Sequence, residues 1–182
     1  MIRLIILIAL FLLHFPGPSA LAQVKLPSDF QQQLDRHELH FYQPLERSFR
    51  RIRQVKNPVQ SCQFAMRSRK GGLEIRYLIR PINANHPPIP HIEYLAMASH
   101  LASNEEESHI AVHQLAETEV QEQLHADWGA VSYFRPKSAF SNKRHCKMLS
   151  FFAEGKAQVF VFFLFNQPIE ALEQQLFSIS FK

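Results

Sequence analysis

Glycine is scarce in this chain of 182 residues: there are five, and only Gly71, Gly72, Gly129 and Gly155 follow the first 22 positions. A phosphate-cradling loop needs clustered glycines just ahead of a helix. Gly71-Gly72 instead separates two strand-like runs, which argues against nucleotide binding through such a loop. The sequence also has no Gly-x-Ser-x-Gly elbow, no His-Glu-x-x-His and no Cys-x-x-Cys, so the usual local signatures of a serine hydrolase, a zinc protease or a dithiol centre are missing. Lysine and arginine are absent from Pro81 to Ala130, where 8 acidic residues fall. No low-complexity tract or repeat is present. No motif implies a cofactor, and none specifies a reaction.

The N-terminus does carry a pattern. Arg3 precedes an unbroken apolar run from Leu4 to Leu13, then come Pro16, Gly17 and Pro18, and Ala20-Leu21-Ala22 places small residues where a signal peptidase reads. Residues 1–22 therefore read as a cleavable signal peptide and 23–182 as one exported globular domain, secreted or periplasmic. Ten apolar residues span about 15 Å as a helix, half of a hydrocarbon core, so the run is too short for an anchor. No later stretch reaches membrane-spanning length; Val159 to Phe165 is the longest, with seven residues. At 46% hydrophobic and 20% charged residues, the composition is that of a folded globule.

Charge is segregated. Arg36 to Arg80 holds 11 basic and 3 acidic residues, Pro81 to Ala130 is wholly acidic, and Val131 to Lys182 holds 7 basic and 3 acidic. Such segregation either makes a bipolar surface that steers a charged partner or is cancelled when the acidic segment packs beside the basic ones. The pI near 9.2 and the Arg47–Lys56 cluster would suit nucleic acid. Export argues against that partner and leaves an envelope or extracellular protein, or an anionic ligand.

Periodicity predicts the elements. Ser28 and Asp29 are placed to cap a short helix through Leu34 and His37, and Leu45, Phe49 and Ile52 recur at near-helical spacing. Cys62 to Arg67 and Leu73 to Arg80 alternate on either side of Arg69-Lys70-Gly71-Gly72, a β-hairpin whose second face carries Glu74, Arg76 and Arg80. Ile92, Leu95, Ala96 and Ser99 mark the inward side of a helix from His91 to Ala102, and a second helix is expected over Ala116–Ala126 with Val120 and Leu124 inward. Trp128–Phe134, Lys147–Ala153 and Ala157–Phe165 read as a strand meander, and Pro168 opens a closing helix with Ile169, Leu172, Leu176 and Ile179 inward. In Ala157–Phe165 both alternating sets are apolar, so that strand is central and covered on each side.

The expected fold is α+β, a three-layer α/β/α sandwich around a mostly antiparallel central sheet. The order hairpin, helices, three-strand meander and helix resembles in outline the Mog1/PsbP-type domains. That resemblance spans most of residues 23–182 and implies a non-catalytic binding or assembly protein.

Candidate chemistry is sparse. Cys62 and Cys146 could form a disulfide in an oxidising compartment, closing a loop worth about 4 to 5 kcal/mol on the chain-entropy model; buried thiols and a reactive Cys146 are the alternatives. His109, His113 and Glu117 would share one helical face with ligand spacing for zinc or copper, but in a strand the two imidazoles lie about 13 Å apart. Asp127 sits at a helix-to-strand junction, suited to a turn or to a polar catalytic role. The favoured function is a non-catalytic exported binding or assembly domain; the alternative is a small hydrolase or metal-binding protein using the His-rich 86–125 segment.

Overall fold

The computed structural model describes residues 24–42, 49–53, 57–70, 72–83, 88–105, 109–167, 172 and 176–182. The expected leader, 1–22, lies outside them. Among the described residues, nine strands and three helices follow in the order α1 (Ser28–Arg36), β1 (Leu39–Phe41), β2 (Phe49–Arg51), β3 (Phe64–Ser68), β4 (Leu73–Pro81), α2 (Pro90–Leu101), β5 (Ala111–Gln114), α3 (Glu117–Glu119), β6 (Trp128–Phe134), β7 (His145–Ala153), β8 (Ala157–Phe165) and β9 (Ile179–Phe181). A π-type turn, Val120–Leu124, continues α3. Seven strands form an antiparallel sheet in the order β2-β3-β4-β8-β7-β6-β5, and β1 pairs with β9 in a separate two-stranded ribbon.

The strand β8 explains the layout. All nine of its residues are buried, and its register sets it between β4 (Tyr77 opposite Val161) and β7 (Leu149 opposite Val161). Val159, Val161, Phe163 and Phe165 join one apolar core with Ile75, Tyr77, Phe30, Leu34, Ile179 and Phe181. Phe160, Phe162 and Leu164 join a second core with Tyr94, Met97, Leu101, Phe140 and Met148. Alternation sends successive side chains to opposite faces, so each core lies on its own side of the sheet. Gly155, with φ +72°, makes the turn from β7 to β8 in a conformation that a side chain would strain.

The edges differ in chemistry. Arg50 and Arg51 are exposed on β2, a charged edge that discourages pairing with another chain. At the other edge, β5 is four residues long and exposed throughout.

Several expectations change. α1 begins without a side-chain cap, its cap position being Pro27; Asp29 in the first turn and Arg36 in the last still suit the helix dipole. Phe49–Arg51 is a strand pairing with Met66–Ser68, not part of a helix. The α2 helix buries Tyr94, Met97, Ala98 and Leu101, whereas Ile92 and Leu95 are 53% and 47% exposed. Its inward face is thus rotated from the expected one, because apolar residues surround this helix and the bulkier Tyr94 and Met97 fill the space over β6 and β7. Ile179 lies in a strand; of the expected closing helix, 168–171 and 173–175 fall outside the described residues, and Leu172 and Leu176 are buried. Among the described residues no helix is long and apolar enough to cross a membrane.

The rotated face has a measurable consequence. Met97→Ala is expected to destabilise by about 2 to 5 kcal/mol through a core cavity, while Ile92→Ala stays within about 0.5 kcal/mol. Urea unfolding of the two variants checks this, and the reverse order would restore the face expected from the sequence.

Candidate functional site

The hairpin of β3 and β4 builds the most structured polar cluster. Arg67 and Glu74 are cross-strand partners, and Ala65 stands opposite Arg76. Alternation places Glu74 and Arg76 on the same face as Phe162 and Leu164, their neighbours on β8. Glu74 is almost fully buried. Its Oε2 accepts from Arg67 Nε at 3.1 Å and Nη2 at 2.5 Å, and its Oε1 accepts from Arg76 Nε at 2.8 Å. Arg76 Nη2 lies 2.7 Å from the same oxygen. Burial alone would raise the Glu74 carboxyl, but the hydrogen bonds and charges of Arg67 and Arg76 outweigh it and hold the group below its ordinary value of 4.5. One carboxylate therefore serves two guanidinium ions.

A loop roofs this cluster. Arg76 Nη1 donates to the Phe140 carbonyl at 2.9 Å, and its guanidinium stands 4.7 Å from the centre of the Phe140 ring. Asn57 Nδ2 donates to the carbonyls of Ala139 (3.2 Å) and Phe140 (2.9 Å), while Asn57 Oδ1 accepts from the amides of Val59 (2.9 Å) and Gln60 (3.1 Å). One side chain thus ties the 57–62 segment to the 138–142 loop. Between them lies a cavity of about 340 Å³ whose walls include Arg53, Arg67, Arg76, Cys62 and Phe140.

A second, more open depression of about 600 Å³ adjoins it, with Ser138, Ser141 and Asn142 in the walls of both. Arg135, Lys137, Lys143 and Arg144 contribute to its lining. Lys137 Nζ donates to the His100 carbonyl at 2.7 Å, and Arg135 pairs with Glu105. Among the described residues, the two depressions are lined by seven basic side chains and two acidic ones, Glu74 and Glu105. The acidic segment meets basic residues at a second place too: Glu93 pairs with Arg80 at 3.1 Å.

Of the residues singled out by sequence, Cys62 and Cys146 lie near one another beside the second core, while the His and Asp candidates lie elsewhere. Cys62 and Cys146 are not joined by a disulfide. Burial pushes the Cys62 thiol up to about 12, the nearby Arg76 charge opposing it only in part. Burial raises Cys146 as well, again against the pull of Arg76. Both sulfurs are therefore neutral thiols packed on the second core. Neither His109, His113 nor Glu117 lines either depression. His113 lies in β5 opposite Val131, so the shared helical face that would gather these three side chains is not formed. Among the described residues no group of three or more His, Cys, Asp and Glu could hold a metal ion. Asp127 fastens the β7–β8 turn: its Oδ2 accepts from the Glu154 amide at 2.7 Å. His145 stacks on Phe165 at 5.4 Å. Of the Arg47–Lys56 cluster, 47–48 and 54–56 lie outside the described residues, and Arg53 reaches the cavity.

The chain matches no protein-family model, no curated protein and no solved structure.

Replacing Glu74 by Gln strands two guanidinium ions. Breaking a buried pair costs about 3 to 5 kcal/mol, and with Arg67 38% exposed the low end, about 3 kcal/mol, is expected. A carboxyl depressed in the folded state contributes stability above its unfolded value, which is lost as pH falls through the folded one. The wild type should therefore lose stability on acidification below pH 4.5 more steeply than Glu74→Gln. Chemical denaturation from pH 7 to pH 2 checks this; parallel curves would refute it.

Proposed function

We propose that the chain is a non-catalytic binding domain of the cell envelope or extracellular space, and that its recognition surface is the basic trough formed by the two joined depressions. The observation that carries this reading is the charge of the lining, seven basic side chains against two acidic. Net positive charge in a concave, partly water-excluded surface attracts anions and speeds their encounter. Its floor is a hydrogen-bonded sheet and its roof is clamped by Asn57, so the surface is largely pre-formed, which lowers the ordering cost of binding.

Three further points support the reading. The wall is dominated by basic and neutral polar side chains, with Cys62 as a neutral thiol. The apolar run and small residues of 1–22 fit export. The apolar cores on both faces of the sheet, with α1 beside one and α2 beside the other, fit the finer description as a three-layer α/β/α sandwich. The ligand class that follows is an anionic envelope or extracellular component. The His-rich alternative has no comparable observation in its favour.

Labelled dextran sulfate tests the trough. Binding should weaken as salt rises, and a Lys143→Glu, Arg144→Glu double variant should bind at least about tenfold more weakly. A Lys25→Glu, Lys182→Glu variant, with the same change in net charge away from the trough, should bind nearly as wild type. Equal losses in the two double variants would overturn the proposal, because overall charge alone would then explain binding.

A further inference from the structure

We propose that the enclosed cavity beside the β3–β4 hairpin takes a small organic acid, its carboxylate held by Arg53 and Arg67 and its short apolar stem lying against Ile52, Ala65 and Phe140. The proposal deepens the reading of the trough as an anion-binding surface, and it concerns the inner depression alone.

Charge comes first. Glu74 satisfies Arg67 through Nε and Nη2 and Arg76 through Nε and Nη2, so among the described residues the pair of guanidinium ions shares one negative charge and carries a net positive charge of one. Arg53 adds another at the rim, and among the described residues of the lining Glu74 is the only acidic one. The Cys62 thiol is neutral and cannot supply the missing charge. Half-enclosed cations without a counter-charge are costly to desolvate, and an incoming anion removes that cost.

Shape selects among anions. Arg67 meets one oxygen of the Glu74 carboxylate and Arg76 the other, each through Nε and Nη2, and a free guanidinium edge offers the planar donor pair that carboxylates accept. Arg67 keeps Nη1 outside those bonds and is 38% exposed at the cavity wall. The rest of the lining is mixed: Ile52, Ala65 and Phe140 are apolar, while Asn142 and Ser138 are neutral hydrogen-bonding groups. An inorganic anion leaves the apolar part unused. A volume of about 340 Å³ lies at the small end of ligand sites, which suits a head group with a stem of a few carbons.

Calorimetric titration with hexanoate tests the inference, with hexanamide and inorganic phosphate as parallel arms. Hexanoate is expected to bind saturably, at least about fivefold more tightly than either control, a difference near 1 kcal/mol. Arg53→Gln, at an exposed position outside the sheet, should keep the wild-type melting temperature and weaken hexanoate at least about fivefold. Arg67→Lys, which preserves the charge but not the fork, should weaken it as well. Absence of saturable hexanoate heat, equal binding of hexanamide, tighter binding of phosphate, or an unchanged affinity in Arg53→Gln would each overturn the proposal. The dextran sulfate experiment reads Lys143 and Arg144 in the outer depression, so either result can fail while the other stands.

Discussion

A strand whose nine residues are all buried cannot lie against solvent on either side, and β8 imposes that constraint on the whole chain. Each fully buried Phe or Val contributes about 1.5 to 3 kcal/mol only if both faces are covered. One face is covered by Phe30 and Leu34 of α1, the β1–β9 ribbon and the π-type turn. The other is covered by Tyr94, Met97 and Leu101 of α2 and by Phe140 from the loop before β7. The order of strands follows from the same demand, since β4 and β7 are the neighbours that complete its backbone hydrogen bonds.

The candidate site is a by-product of how that second face is closed. Apolar cover extends over β6, β7 and β8, but toward β3 and β4 the side chains become Arg67, Glu74 and Arg76. Glu74 is held there because two guanidinium ions offset the cost of burying its charge. Phe140 spans the boundary: its ring packs at 5.4 Å from Phe162 in the core and faces Arg76 on the other side. Phe140 thus belongs to both the hydrophobic roof and the polar cavity, and a change there would be felt in both.

How much of this was legible in the sequence depends on the range of the interaction. The β3–β4 hairpin and the β6–β7–β8 meander were readable because alternation and turn residues are local, and their boundaries in the structure differ from the expected ones by two residues at most. Phe49 was misread since Phe49 and Ile52 stand three apart, a spacing that suits a helix, while the short strand is fixed by pairing with β3. The inward face of α2 was misread for a related reason: Ile92 and Leu95 are as apolar as Met97 and Leu101, and only tertiary fit distinguishes them. Glu74 and Arg76 were recognised as the polar face of a hairpin. Their union with Arg67 required the cross-strand register, and the cavity required the Asn57 clamp to a loop 82 residues away, which no local pattern encodes. Of the alternatives open for Cys62 and Cys146, the structure has two free thiols, and their nearness to one another is likewise a tertiary fact that no local pattern encodes.

Native-state hydrogen exchange at the amides of Val161, Phe162 and Phe163 bears most directly on the role of β8. If this strand is the covered centre of the sheet, those amides open only when the whole domain unfolds, and their exchange free energy equals the global stability from denaturant unfolding. Exchange at a free energy well below that value would show that β8 can be reached by water in the folded molecule, and the account built on it would be contradicted.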